Sequence, residues 1–165
     1  PGSGVIGRLA RKGRLPLGYY KDEEKSRTTF VEIGGERWVL PGDMATIEAD
    51  GSITVLGRGS ICINTAGENV FPEECEPVLK SHPAVPHTVV IGVPAHRWGR
   101  RVVAVASPRG DRRPALEELH DHCHDQLAGY KIPRQVVWVD EIERNPNGKP
   151  DYRWAAQVVD AAPAR

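Results

Sequence analysis

The chain has 165 residues, 39% of them hydrophobic, and its 22 lysines and arginines balance 22 acidic residues. This composition supports a folded core, and a formal charge of zero provides no overall field to attract nucleic acid or anionic membranes. No apolar run approaches the roughly 20 residues that a spanning helix needs, so neither nucleic-acid binding nor membrane insertion is expected.

Two further features of the composition concern the origin of the chain. The only methionine is Met44 and the chain begins at Pro1, so we expect a piece of a longer protein. Three cysteines without paired spacing are typical of a reducing compartment, which predicts the cytoplasm.

The first residues contain a glycine pattern that is easily over-interpreted. Residues 2–7 satisfy G-x-G-x-x-G, the pattern of dinucleotide-binding loops. No strand precedes them, and Pro16 and Gly18 follow where the helix of that motif would belong. We interpret the pattern as a loop that enters a strand at residues 8–10.

Turns and β-rich runs continue to about residue 57. The charged segment 22–30 predicts one or two helical turns, and Gly34-Gly35 predicts a hairpin before a strand at residues 38–40. Residues 49–52, Ala-Asp-Gly-Ser, are typical of a type I′ turn between two strands.

From residue 72 onward, helices alternate with strands. The predicted elements are helices at residues 72–82, 116–127 and 152–159 and strands at residues 88–93, 102–106 and 136–139. Residues 94–100 predict a loop. Pro77 lies inside the first helix, where a proline costs about 3 kcal/mol, so a kink or a late start is expected. The fold class is predicted as α+β, with a roughly three-stranded sheet and flanking helices.

The histidine-rich stretch 120–124 resembles a metal site. His120 and His124 share a helical face and Cys123 is adjacent, a trio that can hold zinc. Cys123 also belongs to the apolar stripe of the predicted helix, and no second cluster supplies a fourth ligand. We therefore predict no metal ligands in this chain.

Three stretches, in order along the chain, carry a resemblance. They are Pro41-Gly42-Asp43, the stretch 57–72 that begins Gly-Arg-Gly-Ser, and Asn147-Gly148-Lys149. Together they resemble the motifs of the adenylate-forming superfamily, which comprises acyl-CoA synthetases, luciferases and the adenylation domains of peptide synthetases. Residues 63–65 and 149–154 are most similar to synthetases of fatty or steroid-derived acids.

The resemblance implies a division of the chain. Residues 1–58 would be the β-rich C-terminal tail of the large AMP-binding domain, which forms a small β-barrel in the family. Residues 59–165 would be the mobile C-terminal lid domain. The main partner would be the missing N-terminal AMP-binding domain of the same protein. Because the phosphate loop and the acyl pocket precede these segments in the family, the chain alone is expected to be inactive.

The resemblance also implies roles for five residues. Lys149 would be catalytic, Asp43 and Arg58 would bind the ribose of ATP or AMP, Gly67 would line the coenzyme A tunnel, and Ser60 would be the hinge. Without the resemblance, Asp43 is a turn aspartate, and Arg58 and Lys149 are exposed surface residues. The sequence departs from the family pattern at Pro41, Ser60 and Ala66.

The implied reaction has two steps. ATP would activate a fatty or steroid-derived carboxylic acid, a small-molecule substrate, as an acyl-adenylate, with Mg²⁺ bridging the phosphates from the missing domain. The acyl group would then pass to coenzyme A. One alternative is an adenylation domain that loads a carrier protein. A second is a non-catalytic α+β interaction module that shares only a hairpin and a turn lysine with the family.

Overall fold

A computed structural model describes residues 1–95 and 99–162 of the chain. Contacts divide the chain into two compact units, Pro1–Ser60 and Ile61–Arg165, here called unit 1 and unit 2. The division falls within a short 3₁₀ turn at Gly59–Ile61. Within the described ranges, no helix is long and apolar enough to cross a lipid bilayer.

Unit 1 contains two separate three-stranded antiparallel sheets and one short helix. Its elements are β1 (Gly7–Arg8), β2 (Arg11–Lys12), α1 (Glu23–Thr29), β3 (Phe30–Ile33), β4 (Glu36–Val39), β5 (Asp43–Ile47) and β6 (Ile53–Arg58). The strand orders are β1-β5-β6 and β2-β4-β3. The strand predicted at residues 8–10 is broken, and its two short pieces pair with different sheets. Unit 1 therefore contains two separate three-stranded sheets, and the small β-barrel of the larger domain stays a prediction.

The helix and first hairpin of unit 1 form where the sequence predicts them. The carboxylate of Asp22 accepts a hydrogen bond from the backbone N–H of Lys25 at 3.0 Å, which caps α1. Gly34 and Gly35 join β3 to β4 with φ values of 62° and 77°. Positive φ at both central residues is what a type I′ turn requires.

The hairpin between β5 and β6 differs from the predicted type I′ turn. Gly51 donates to the carbonyl of Glu48 at 3.0 Å, and Glu48 donates to the carbonyl of Ser52 at 2.9 Å. In this loop only Gly51 has a positive φ, 84°. The loop is therefore a three-residue turn with a left-handed glycine at its end. This loop has one residue more than a two-residue type I′ turn. The carboxylate of Asp50, in the middle of the loop, accepts from Ser52 N–H at 2.9 Å.

Unit 2 contains one five-stranded sheet. Its elements are β7 (Ile63–Thr65), β8 (Glu68–Val70), α2 (Pro72–Lys80), β9 (His87–Ala95), β10 (Gly99–Ser107), α3 (Leu116–His124), β11 (Gln135–Trp138) and α4 (Tyr152–Ala161). The central strand β10 runs antiparallel to β9 and parallel to β11, and the β7–β8 hairpin joins it where Thr65 faces Gly99. The predicted α+β class is confirmed, and the hairpin adds two strands to the predicted three.

Helices cover both faces of this sheet because side chains alternate along β9 and β10. On one face Val90, Val102 and Ala104 pack with Cys75 and Leu79 of α2 and Cys123 of α3. On the other face Val89, Ile91, Val103 and Val105 pack with Ala155 and Val159 of α4. The sheet is thus buried from both sides, which explains the nearly continuous apolar runs of these strands.

Element ends differ from the predictions by a few residues. Helix α2 begins at Pro72 as predicted, with Pro77 inside it, and ends at Lys80. Helix α3 ends at His124, although Leu127 still packs against the core. Strands β9 and β10 extend into the predicted loop as far as Ala95 and Gly99. The rest of that loop, residues 96–98, lies outside the described residues.

Candidate functional site

Asp43 and Arg58 are brought into direct contact. Asp43 is the first residue of β5, Arg58 is the last residue of β6, and the two are cross-strand partners. Nε of Arg58 lies 3.2 Å from Oδ1 of Asp43. The Asp43 side chain is 27% exposed and the Arg58 side chain is 54% exposed. The strand ends therefore hold a carboxylate and a guanidinium side by side, and both are partly exposed.

Ser60 is the last residue of unit 1 and is exposed. The preceding Gly59 donates its backbone N–H to the carbonyl of Gly42 at 3.0 Å. A Cβ at Gly59 would lie 3.3 Å from Sδ of Met44, which leaves little room for a side chain there. The boundary between the two units thus coincides with the residue predicted as the hinge, and the hinge motion itself stays a prediction.

Gly67 lies in the two-residue turn of the β7–β8 hairpin. Ala66 has a φ of 53° and Gly67 a φ of 88°, which is the pattern of a type I′ turn. Asn64 of β7 and Asn69 of β8 are cross-strand partners, and Nδ2 of Asn64 lies 3.5 Å from Oδ1 of Asn69. The hairpin is therefore tight, and Ala66 adopts a conformation that glycine would adopt more easily.

A cavity of about 430 Å³ adjoins this hairpin. It is lined by Thr65, Ala66, Ala95, Arg101, Val102, Tyr130 and Arg134. The described lining contains two guanidinium groups and no carboxylate, together with one aromatic ring. Guanidinium groups match phosphate oxygens in geometry and charge. The cavity therefore suits a ligand that carries phosphate groups.

Lys149 lies in a loop that is held by its own hydrogen bonds. Asn145 donates its backbone N–H to the carbonyl of Lys149 at 2.8 Å, and Gly148 donates to the carbonyl of Asn145 at 2.8 Å. Nη1 of Arg144 donates to the carbonyl of Gly148 at 3.0 Å. The Lys149 side chain is exposed, and no residue within the described part of the chain pairs with its ammonium. An exposed cation thus extends from a backbone that is held by hydrogen bonds.

The Lys149 loop and the Gly67 hairpin leave opposite ends of the five-stranded sheet. The hairpin joins β10 at Gly99. Residues 141–144, which lead into the Lys149 loop, line a shallow cavity with His87, and His87 pairs with Ser107 at the other end of β10. Asp43 and Arg58 belong to unit 1. The structure therefore brings Asp43 and Arg58 together and separates Lys149 from Gly67 within unit 2.

The histidines of α3 have separate partners. Nε2 of His120 donates to the carbonyl of Pro133 at 2.9 Å, whereas the exposed His124 lies beside Asp125. Cys123 is buried in the core. Across residues 1–95 and 99–162, no three His, Cys, Asp or Glu side chains come together as metal ligands.

Comparison with known proteins identifies the fold of unit 2. Residues 74–149 match the family model of the AMP-binding enzyme C-terminal domain. This segment is an AMP-binding enzyme C-terminal domain. The match confirms the resemblance to adenylate-forming enzymes, and its end coincides with Lys149.

Over most of its length the chain is similar to CoA ligases and to an acyl-carrier-protein ligase. The chain is 55% identical over 164 residues to the medium/long-chain-fatty-acid–CoA/3-oxocholest-4-en-26-oate–CoA ligase of Mycolicibacterium smegmatis, covering 99% of the chain and 30% of the relative. It is 35% identical to the fatty acid–[acyl-carrier-protein] ligase ScoC of Streptomyces coeruleorubidus, covering 88% of the chain and 28% of the relative. The chain thus spans about 30% of the length of its curated relatives.

A solved structure supports the same assignment. The o-succinylbenzoate CoA synthetase MenE of Bacillus subtilis, in complex with an acyl-adenylate intermediate, superposes with a TM-score of 0.80 at 32% identity. The superposition covers 89% of this chain and 29% of that protein. The chain is therefore homologous to a C-terminal portion of acyl-CoA ligases.

Sequence reasoning missed three of the residues that line the cavity beside the Gly67 hairpin. Arg101, Tyr130 and Arg134 lie in β10 and in the segment before β11, and none of them belongs to the three recognised stretches. They meet the Gly67 hairpin only because β7, β10 and β11 share one sheet. Nothing in the sequence distinguishes these three residues, because arginine and tyrosine are common on protein surfaces.

Proposed function

We propose that this chain belongs to an acyl-CoA synthetase that adenylates a fatty or steroid-derived acid with ATP and transfers the acyl group to coenzyme A. The observation that carries the proposal is the exposed ammonium of Lys149, which has no partner among the described residues, on a hydrogen-bonded loop of an AMP-binding enzyme C-terminal domain. The 55% identity to a ligase named for fatty and steroid acids supports the substrate class. The chain alone is expected to be inactive.

In the first half-reaction, Lys149 is the proposed catalytic residue. Attack of the carboxylate on ATP builds negative charge at the α-phosphate, and a cation that meets this charge in the transition state accelerates the step. Asp43 would accept hydrogen bonds from the two ribose hydroxyls, as a carboxylate can, and Arg58 would hold that carboxylate in place and donate to the nucleotide.

We propose that the two units belong to two domains of the longer protein. Residues 1–58 would be the C-terminal tail of the large AMP-binding domain, and residues 59–165 the mobile lid, with Ser60 as the hinge. The unit boundary after Ser60 supports this division. The N-terminal AMP-binding domain in the same chain would be the partner, because the relatives are more than three times as long as this sequence.

The second half-reaction would use the other end of the sheet. Gly67 would line the tunnel for the pantetheine arm of coenzyme A, and Arg101 and Arg134 in the adjoining cavity would face its phosphates. Because the Lys149 loop and the hairpin lie at opposite ends of the sheet, rotation of the lid could present one end for each step.

Mg²⁺ is proposed to act through the phosphates of ATP and the rest of the longer protein. The described residues of this chain offer no cluster of metal ligands. When bound to the phosphates, Mg²⁺ supplies charge neutralisation during displacement.

The cytoplasm is the proposed compartment. The three cysteines lack paired spacing, which is typical of proteins in a reducing environment.

Loading of an acyl-carrier protein is a second candidate function. The specific observation in its favour is the 35% identity to a ligase that is named for that activity. The same adenylation step would precede it, and a phosphopantetheine arm attached to a carrier protein would replace free coenzyme A.

The experiment that tests the proposal uses the longer protein that contains this chain. Acyl-adenylate formation is followed by ATP–pyrophosphate exchange with fatty and steroid-derived acids, and the acyl product is identified with coenzyme A or a phosphopantetheinylated carrier protein as acceptor. We expect exchange with these acids and an acyl-CoA product. Absence of exchange with every acid would refute the proposal, and acylation of the carrier protein alone would select the second candidate.

A further inference from the structure

The segment 128–134 connects α3 to β11 and contributes one wall of the cavity beside the Gly67 hairpin. Tyr130 and Arg134 of this segment line the cavity. Both side chains are exposed, and Tyr130 retains 38% of its accessible surface. Their positions therefore depend on how the backbone of the segment is held.

An ion pair ties the middle of this segment to α2. Nζ of Lys131 lies 3.1 Å from Oε1 and 3.0 Å from Oε2 of Glu74. The side chains of Lys131 and Glu74 are only 20% and 25% exposed. In addition, Sγ of Cys75 donates to the carbonyl of Lys131 at 3.4 Å. An ion pair that is shielded from solvent in this way holds its two side chains together more strongly than an exposed pair does.

The other anchors of the segment lie beyond Lys131 along the chain. Nε2 of His120 donates to the carbonyl of Pro133, and the backbone N–H of Arg134 donates to the carbonyl of Val102 at 2.9 Å. Ile132 and Pro133 are buried. Lys131 is thus the anchor that adjoins Tyr130 directly.

Glu74 connects this wall to the opposite wall of the cavity. It lies in the first turn of α2, which begins two residues after β8, the second strand of the hairpin that carries Ala66 and Gly67. The Glu74–Lys131 pair therefore joins the element that follows the hairpin to the segment that faces it across the cavity.

We propose that Glu74 and Lys131 are positioning residues that hold Tyr130 and Arg134 in the geometry that binds the phosphate-bearing nucleotide end of coenzyme A. This inference rests on the proposed function, in which coenzyme A is the acyl acceptor. Neither residue is among those that line the cavity. Their contribution is preorganisation of the cavity wall, which lowers the cost of binding.

The experiment uses the longer protein, with acyl-adenylate added as a substrate so that only the second half-reaction is measured. It compares coenzyme A with pantetheine, which has no phosphate groups, as the acyl acceptor. K131M should raise the KM for coenzyme A about tenfold and leave the KM for pantetheine within about twofold of the wild-type value. K131R, which keeps a cation for Glu74, should restore most of the affinity. E74Q, which keeps the shape of the side chain, should act in the same direction as K131M.

A matched control is present in unit 1. Lys12 contacts both oxygens of Glu36 at 3.2 and 3.1 Å, but the two side chains are 55% and 58% exposed. K12M should change neither KM. Thermal unfolding and the rate of adenylate formation report whether each variant is folded, and E74Q replaces K131M in the comparison if K131M is not.

Three results would overturn the inference. Equal increases in the KM values for coenzyme A and pantetheine would show a general structural role, and unchanged values in K131M and E74Q would show no role. A wild-type enzyme that uses both thiols with the same KM would show that the cavity does not bind the nucleotide end. Failure of the proposed function itself looks different, because the wild-type enzyme would then form no acyl-CoA.

Discussion

A β-bulge brings Arg58 opposite Asp43. The register of β5 and β6 shifts between Met44 and Ala45, so that Ala45 faces Val55 whereas Met44 faces Gly57. Without the extra residue in β6, Asp43 would face Gly57 and the guanidinium would point to the other face of the sheet. The 3.2 Å ion pair therefore depends on one irregularity at the end of the hairpin.

The first prediction concerns this pair. In the longer protein, Asp43→Asn should raise the KM for ATP about tenfold, because a hydrogen bond to a charged acceptor contributes about 1.5–3 kcal/mol. The KM for the carboxylic acid should stay unchanged, since the carboxylate is proposed to contact only the ribose. Steady-state kinetics of ATP–pyrophosphate exchange measure both constants.

Asp50→Asn is the control for that variant. Asp50 lies in the turn of the same hairpin and accepts from Ser52 N–H. It should leave the KM for ATP unaffected. An equal rise in the KM for ATP with Asp50→Asn would indicate a general effect on the sheet and contradict a specific role for Asp43.

The second prediction concerns the backbone of the β7–β8 hairpin. Ala66 has a φ of 53°, a left-handed conformation that costs an L-residue roughly 1–2 kcal/mol. Ala66→Gly should therefore stabilise the protein by about 0.5–1 kcal/mol, after the greater entropy of glycine in the unfolded chain is subtracted. Urea unfolding measures the change, and Gly67→Ala, at a φ of 88°, should change the stability in the opposite direction.

The third prediction concerns Gly92 in β9. A Cβ at this position would lie 2.6 Å from Cγ2 of Ile63 and 3.1 Å from Nε of Arg100. Because Ile63 is buried, Gly92→Ala should destabilise the protein by about 1–3 kcal/mol through overpacking. Gly7→Ala, where an added Cβ meets nothing within 4 Å, should have little effect.

A double-mutant cycle tests the cause of that loss. Ile63→Ala removes the atom that an alanine at position 92 would meet. It should therefore cost less stability in the Gly92→Ala background than in the wild type. Additive losses would show that the destabilisation arises elsewhere.

The fourth prediction concerns the pH dependence of stability. Glu76 is buried, and its Oε1 accepts from Val90 N–H at 3.1 Å. Burial raises the pKa of its carboxyl above the ordinary value of 4.5. The folded state therefore binds the carboxyl proton of Glu76 more tightly than the unfolded state does. The contribution of this proton to the free energy of unfolding is fully present below pH 4.5 and is lost as the pH rises through the folded-state pKa.

Glu76→Gln should remove this loss, because the amide keeps an acceptor for Val90 and does not ionise. The free energy of unfolding of the variant minus that of the wild type should increase from about pH 4 to neutral pH and then level off. Urea unfolding at a series of pH values measures it. A flat difference would show that Glu76 does not titrate in this range.

Much of unit 2 could be predicted from periodicity, because its elements are amphipathic or β-rich. Cys123 of α3 lies in the core, as its place in the apolar stripe of the predicted helix implied. Local turn chemistry identified the Gly34-Gly35 hairpin correctly. It was less accurate at Gly51, where Asp50 adds a residue to the loop.

The parts that could not be predicted depend on contacts between distant residues. The bulge that pairs Asp43 with Arg58 is set by cross-strand register, and the cavity lined by Arg101 and Arg134 is set by sheet order. Glu76 lies among the polar residues of α2 in sequence, yet it is buried and contacts Val90 of β9. Residue roles came from the family resemblance alone, and they remain predictions.

The most direct test of the central claim removes the ammonium of Lys149 in the longer protein and measures the two half-reactions separately. Lys149→Ala should slow acyl-adenylate formation by about 10²- to 10³-fold. It should leave transfer from supplied acyl-adenylate to coenzyme A within about twofold of the wild-type rate. Lys25→Ala, at an exposed lysine of unit 1, should change neither rate. Unimpaired adenylation in Lys149→Ala, or an equal loss in both half-reactions, would contradict the account.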